Sequence, residues 1–498
     1  MPMKMNDQVQ ARLDKLKKIK DSNINPYPYS FKVSHCSDQL QADKEKLLDS
    51  EEQISYAGRI VRFNRKGKMA FMHVKDEVGR LQSLIARDIV GLENYELVKL
   101  LDMGDWVGIN GNMMVTGRGE YTILAKEITL LSKAVRPLPI PKEKMENGKK
   151  IIYDEFTDKE TRYRRRYVDL ALNDNVREVF YQRTKIIQTI REYLCNKNYM
   201  EVETPVLQSI YGGANARPFT THHNSQNMEL YLRISNELYL KRCITGGFSR
   251  VFEFSRNFRN EGMDSTHNPE FTVLEFYEAY ADYNDMMTHF EELYAASAKA
   301  IHGTTVITYQ GTEIDLKPPW PRLTMKEAIK KYAGIDVDSM TDDELQGQLE
   351  KTEIELKGGY LRGLAIQALF EELCEEHLIQ PIFIIDHPKE STPLCKVHRE
   401  DNTLVERFEP YINGWEVGNA YSELNDPLVQ RASLEEQVER GRAGEDETHP
   451  LDEDFLLCLE YGMPPIGGVG IGIDRLVMLL TDSSNIKDVL LFPLMKPE

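Results

Sequence analysis

Residues 255–277, SRNFRNEGMDSTHNPEFTVLEFY, decide how the larger part of this chain is read. They carry the pattern of a β-hairpin, in which two runs with aromatic and β-branched positions flank a polar loop that includes Gly262, Asn268 and Pro269. On the second strand the period of two puts Phe271, Val273, Glu275 and Tyr277 on one face and Thr272, Leu274 and Phe276 on the other. The Leu274 face suits a core. The opposite face brings an aromatic plate, a carboxylate and a phenol close to Arg259 and Glu261, although an ion-paired amphipathic sheet would show the same alternation.

A second hairpin lies at 407–426, RFEPYINGWEVGNAYSELND. Asn413–Gly414 is a strong two-residue turn signal, and it sets a register in which Ile412 faces Trp415 and Tyr411 faces Glu416. Glu409 then shares a face with Glu416, and the two carboxylates become diagonal neighbours about 5–8 Å apart. That separation suits Mg²⁺ carrying a polyphosphate. Asn419, Tyr421 and Glu423 alternate with the opposite parity, so a bulge near Val417–Gly418 is needed to bring them to the same site. A solvated acidic hairpin is the plainer alternative. The third element, GGVGIGIDRLVM at 467–478, places Gly470 and Gly472 on one side of a strand before a helix opens near Asp474. Glycines there leave a bare shelf for a flat ligand. Arg475, in the first helical turn, is positioned to cover that ligand by cation–π stacking opposite an aromatic such as Phe271.

Further strand patterns at Val251–Phe258, Phe383–Ile385 and Phe408–Ile412 are joined mostly without alternating helices, which predicts an α+β unit with an antiparallel sheet flanked by helices. Apolar spacing predicts a long core-facing helix over 176–198, running into a short strand stopped by Pro205, and another over Asn284–Ala300. Thr324 and Glu327 form a capping box for a helix ending at Ala333, with Gly334 as its stop. Residues 336–363 and 430–454 read as charged, peripheral helical insertions.

Toward the N-terminus the pattern changes. A Lys-rich amphipathic helix over Asn6–Asp21 is followed from Ile54 to Leu131 by short alternating runs with turn signals, the mark of a small barrel of about five strands. Arg136–Pro141 reads as a stiff hinge, and the basic cluster RYRRR at 162–166 leads into the second domain. The expected division is therefore 1–50 (helix and linker), 51–135 (barrel), 136–165 (hinge) and 166–498 (sheet domain).

Composition narrows the class. With 498 residues, 41% hydrophobic and 29% charged, the chain is globular with room for two or three domains, which excludes disordered and collagen-like chains. The apolar run 467–480 is broken by Asp474 and Arg475, so no transmembrane helix is expected, and the N-terminus lacks the apolar core of a secretory signal. Six scattered cysteines without a C-x-x-C pair fit a reducing, cytoplasmic setting. The net charge of −18 hides a split: residues 1–150 hold 26 Lys and Arg against 20 Asp and Glu, and the remainder is strongly acidic. A basic front permits nucleic-acid contacts, although a solvated lysine face on the first helix explains it equally.

Walker and Rossmann phosphate motifs are absent. Any nucleotide phosphate is therefore held by side chains. Taken together and in this order, the three elements resemble motifs 2 and 3 of the class II aminoacyl-tRNA synthetases, and EVETP at 201–205 is similar to motif 1. The flanking stretches RISNELYLK (233–241), YEAYADY (277–283) and EVGNAYSELND (416–426) are closest to the lysine-specific members of subclass IIb.

The resemblance runs from about residue 7 to the C-terminus and implies an N-terminal OB-fold that reads an anticodon, a class II catalytic sheet and a homodimer formed through motif 1. It implies ATP as a substrate with up to three Mg²⁺ ions, and L-lysine and tRNA-Lys as the other partners. By position Arg259 would hold the α-phosphate and the lysine carboxylate, Glu261 and His267 would lie near ATP, Phe271 and Arg475 would sandwich adenine, and Glu409 and Glu416 would carry metal. Gly213, Glu237, Glu275, Tyr277, Asn419 and Glu423 would receive the amino acid, with Glu423 and Tyr277 on the ε-ammonium. Phe71, Gln82 and Glu127 would contact the anticodon, Phe71 by stacking unless it is a core residue. Three glutamates favour lysine over aspartate or asparagine, whereas a Lys or Arg opposite Glu423 would point the other way. A synthetase-like binding protein without catalysis is the competing reading, and the retained arginines and paired carboxylates oppose it.

Overall fold

The computed structural model of the chain describes all residues except 1–6, 51, 141, 147–148, 154–155, 357–358, 443–448 and 498, and, within 142–153, the backbone only. Asn6 and parts of the hinge and of both expected insertions thus lie outside the described residues. The chain divides into two units, Met1–Asp158 and Lys159–Glu498.

The first unit begins with the helix Asp7–Asp21, which buries Val9 and Ile19. Its centre is a closed barrel of five strands, β1 (Ile54–Lys66), β2 (Met69–Lys75), β3 (Arg80–Ala86), β4 (Trp106–Val115) and β5 (Tyr121–Ser132), in the order β1-β2-β3-β5-β4. Closure removes every sheet edge. Alternation fills the interior: Ile54, Tyr56 and Ile60 of β1 and Ala70, Met72 and Val74 of β2 belong to one buried cluster. Two helices, Arg87–Val90 and Leu92–Leu100, interrupt the strands where the sequence reading expected none. Their burial of Tyr95, Leu97 and Val98 is a tertiary contact that short apolar runs do not reveal. Within the expected hinge, Lys142–Glu146 and Lys149–Tyr153 pair as an antiparallel hairpin rather than a plain linker.

The second unit is built on one sheet. Its strands are β6 (Met200–Glu201), β7 (Arg250–Phe258), β8 (Glu270–Ala279), β9 (Arg322–Thr324), β10 (Ile382–Pro388), β11 (Leu404–Ile412), β12 (Trp415–Glu416), β13 (Gly418–Ser422) and β14 (Ile466–Gly472). They lie in the order β9-β10-β11-β13-β14-β8-β7-β6, with β12 pairing β11. The centre is antiparallel, as expected, while the two outermost pairs, β9–β10 and β6–β7, are parallel. One face carries Phe252, Leu274, Phe276, Phe408, Val469 and Ile471 into the main core, covered by the helices Asp174–Asn196 and Tyr283–His302. The second of these starts at a capping box on Asp282 and stops at Gly303 in the left-handed region. The capping box of Thr324 with Glu327 is also present. The insertion that includes the helix Asp342–Lys351 buries Leu345 and Leu349 in a core of its own with Leu369 and Phe370.

Candidate active site

Opposite the core, the sheet's other face floors a cavity of about 620 Å³. Two cross-strand rows build the floor. One runs Glu253–Glu275–Gly470–Asn419, the other Val251–Tyr277–Gly468–Tyr421–Arg407. The turn at Asn413 and Gly414, both with positive φ, gives the register Tyr411 to Glu416 and Ile412 to Trp415. Beyond it the pairing shifts by one residue, so that Phe408 meets Ala420 and Arg407 meets Tyr421. This is the bulge the parity of the sequence demands. It turns Asn419, Tyr421 and Glu423 onto the face of Glu409 and Glu416.

All thirteen residues expected of the amino-acid and nucleotide sites line this one cavity: Gly213, Glu237, Arg259, Glu261, His267, Phe271, Glu275, Tyr277, Glu409, Glu416, Asn419, Glu423 and Arg475. Gly470 and Gly472 leave open space above their backbones, whereas a side chain on Gly468 would overlap Glu423 and Tyr277.

At one end lies a carboxylate recess. Glu275 accepts from Ser235 Oγ and Tyr277 Oη, each at 3.0 Å. Burial, reinforced by Glu237, pushes its pKa up to about 7. Glu423 is also pushed well above the ordinary carboxylate range, by burial first and then by Glu237. The expectation that these acids lack a cation is corrected here: the buried Lys241 Nζ lies 2.5 Å from Glu237 Oε1 and 2.5 Å from Glu423 Oε2. A lysine therefore does stand opposite Glu423, and that particular test does not separate lysine from aspartate. Sequence could not reveal it, because Lys241 sits in a helical run, Glu237–Thr245, far along the chain from Glu423.

At the other end Arg407 Nη2 pairs with Glu409 Oε1 at 2.5 Å and its Nε donates to Asn419 Oδ1 at 3.0 Å. Burial alone would raise Glu409, but Arg407 holds it below its ordinary range. Glu416 forms no ion pair among the described residues, and burial together with Glu409 raises it to about 7 against the opposing pull of Arg475, Arg407 and Arg259. Glu371 and Gln367, from the helix Arg362–Leu373, also line the cavity, as does His449 from the second insertion, which is thus not wholly peripheral.

The two arginines of the cavity have different partners. Arg259, not Arg475, lies over the Phe271 ring, 5.2 Å from its centroid, and its buried Nε has no hydrogen-bond partner. Arg475 donates to the Glu416 carbonyl and to His267 Nε2, the latter at 2.9 Å. Because arginine has no acceptor, His267 keeps its proton on Nδ1, which donates to Asp264 Oδ2 at 2.7 Å.

On the barrel, Phe71 is half-buried on the outer face of β2 and stands apart from the interior cluster, so it is not a core residue. Gln82, directly across from His73, donates to Thr122 Oγ1 at 2.9 Å in a smaller recess of about 350 Å³ with Arg80 and Tyr121. Glu127 is exposed and accepts from Asn110 Nδ2 at 3.0 Å.

Comparison with known proteins agrees with this architecture. The family model described as tRNA synthetases class II (D, K and N) matches residues 158–496, and that of the OB-fold nucleic acid binding domain matches residues 54–131. The chain is 48% identical over 494 residues to a lysine–tRNA ligase of Moorella thermoacetica, covering 99% of this chain and 98% of that one. It is 48% identical over 497 residues to the lysine–tRNA ligase of Pelotomaculum thermopropionicum (99% and 96%) and 48% over 501 residues to that of Christiangramia forsetii (99% and 87%). The chain belongs to the class II aminoacyl-tRNA synthetases, and within them to the lysine–tRNA ligase family.

Proposed function

We propose that this chain activates L-lysine with ATP to lysyl-adenylate and pyrophosphate, and then transfers lysine to the 3′ end of tRNA-Lys, with each named residue acting as follows. The observation that carries the assignment is the shared cavity: a buried carboxylate recess opens directly beside Arg259 and the Glu409–Glu416 pair. A substrate ammonium enters the recess among Glu237, Glu275, Tyr277 and Glu423, and its charge offsets the burial that raises Glu275 and Glu423. Asn419 and Gly213, which packs too closely on Ser235 and Glu237 to carry a side chain, complete its walls. Arg259, with its unpartnered Nε, holds the substrate carboxylate and the α-phosphate together. Adenine enters between Phe271 and Arg475, which displaces the Arg259–Phe271 stack, while Glu261 and His267 flank the nucleotide.

A divalent cation fits Glu409 and Glu416, because the two carboxylates line one cavity, Arg407 is ion-paired with Glu409, and burial together with the Glu409 charge still raises Glu416 to about 7 against the pull of the nearby arginines. Mg²⁺ there, with phosphate oxygens as further ligands, would supply neutralisation of the polyphosphate. No protein base is required for the first step: the lysine carboxylate is already nucleophilic, so the residues position it in line and stabilise charge. For the second step the barrel holds the anticodon through Phe71, Gln82 and Glu127, and the basic helix Asp7–Asp21 adds affinity for the backbone.

Dimerisation through motif 1 is supported by the exposed apolar residues Met200, Val206, Leu207 and Ile210 beside β6. Among the described residues no helix is long and apolar enough to cross a membrane, and the free cysteines suit the cytoplasm. The test is ATP–pyrophosphate exchange with Mg²⁺ and lysine, run beside aspartate, asparagine and arginine. Exchange with lysine alone is expected, and Arg259→Ala abolishes it. Exchange with another amino acid overturns the recess assignment, and exchange with none favours the binding-protein reading.

A further inference from the structure

The wall of the amino-acid recess hides a cation that the roles above leave unused. Lys241 has no solvent exposure, and its ammonium is held between Glu237 and Glu423. The Tyr421 hydroxyl donates to the same Glu237 oxygen at 2.7 Å, and the rings of Tyr421 and Phe455 lie 5.4 and 6.0 Å from Nζ. Burial alone would pull the Lys241 pKa down, but the two carboxylates outweigh it and keep the side chain protonated. Glu275, the third carboxylate, is held only by the neutral donors Ser235 and Tyr277.

A buried ion-pair cluster is costly to desolvate, and well-packed apolar side chains in place of the whole cluster would serve the fold at least as well. The use of the charge lies in what it does to the carboxylates. Three carboxylates and one ammonium leave the recess with two negative charges in excess. Free lysine brings two ammonium groups, and its carboxylate is assigned to Arg259. We infer that Lys241 is the positioning residue that tunes the recess for a diamine substrate: it cancels one of the three negative charges and fixes Glu237 and Glu423 in place, so that binding two ammonium groups leaves the site neutral. This rests on the assignment of the recess to the substrate amino acid.

The experiment is lysine-dependent ATP–pyrophosphate exchange on the full chain, with KM measured separately for lysine and for ATP. Lys241→Met raises the lysine KM by at least about tenfold, with the KM for ATP held and kcat changed far less. Glu237→Gln, which leaves a single uncompensated acid, also raises the lysine KM. The double variant Lys241→Met with Glu237→Gln restores the charge balance, and its lysine KM lies nearer to the parent value than either single variant. Effects that multiply in the double variant, or a Lys241→Met lysine KM within twofold of the parent, overturn the inference. If Lys241→Met does not fold, Lys241→Gln, which keeps donors for both carboxylates without the charge, carries the same expectation. Glu423→Gln separates the two layers of argument: an unchanged lysine KM there sinks the recess assignment itself, whereas a raised KM beside a silent Lys241 variant sinks only the role of Lys241.

Discussion

The two acidic ends of the cavity follow one plan with different cations. In each, a basic residue of the chain is ion-paired with part of the acid set and one acid is left without an ion pair. Arg407 ties Glu409 and leaves Glu416, and Lys241 ties Glu237 and Glu423 and leaves Glu275. Both acids outside the ion pairs are raised to about 7. The cations differ in placement. Arg407 lines the cavity and uses its fork to hold an acid and Asn419 together, while Lys241 lies behind the wall as a point charge. A planar fork fixes ligand geometry on an open floor, and a buried ammonium fixes a charge count. The nucleotide end therefore depends on arrangement, and the amino-acid end on electrostatic balance.

The sharpest way to break that contrast is Glu416→Gln, which keeps the shape and removes the charge. The expected result is a loss of roughly 10²–10³-fold in the rate of pyrophosphate exchange, with lysine binding, measured by calorimetry, little changed. Equal damage to lysine binding would mean that the two ends are not independent.

Next in size is Glu275→Gln, with an expected rise of about 10- to 100-fold in the lysine KM. The same substitution carries an opposite effect on stability. The folded pKa of Glu275 is raised from 4.5 to about 7, so the fold favours the neutral acid, and the stability this gives at low pH is lost as pH rises through 7. At pH 8 the ionised, ligand-free recess costs up to about 3 kcal/mol. Glu275→Gln thus melts above the parent at pH 8 without lysine, and the difference closes toward pH 5. Thermal melts at the two pH values check it, and an equal shift at both rules out the electrostatic cause.

Gly468→Ala probes the amino-acid end by shape instead of charge. A methyl group there would overlap Glu423 Oε1 and the Tyr277 ring, whereas one on Gly470 meets nothing closer than 3.7 Å. The lysine KM is expected to rise about tenfold for Gly468→Ala and less for Gly470→Ala. The reverse order would place the amino acid over Gly470.

How much of this was legible in the sequence follows from distance along the chain. Strand faces, the Asn413–Gly414 register and the need for a bulge at Val417 are local consequences of periodicity, and they alone suffice to bring Glu409, Glu416, Asn419 and Glu423 to one face. The partners of Lys241 and the Arg259–Phe271 stack are tertiary events between segments that no period connects. The helix Leu92–Leu100 was missed for the same reason, since its apolar residues are read by what covers them. The outward turn of Phe71 needed the barrel's inside to be known, because either face of a strand satisfies the same alternation.

The smallest expected effect tests whether arrangement at the nucleotide end is as local as that argument holds. Gly414 has φ +71° and its backbone lies close to Glu375 without collision, so an alanine there is strained by its conformation and not by crowding. Left-handed backbone costs a non-glycine residue about 1–2 kcal/mol, which lowers stability by that amount in a denaturant titration. The turn alone sets Glu416 opposite Tyr411, and Tyr411 Oη bonds both Glu409 Oε2 and Glu375 Oε1 at 2.9 Å. A strained turn is thus anchored at Glu409 by a bond to its carboxylate, whereas on the other side the Arg475 bond holds the Glu416 carbonyl and leaves its carboxylate without a hydrogen bond among the described residues. The KM for ATP is expected to rise two- to threefold, roughly the share of the strain that reaches one carboxylate, while the lysine KM stays at the parent value. A change in both would show that strain crosses the bulge at Val417, and the two ends of the cavity would then have to be treated as a single mechanical unit.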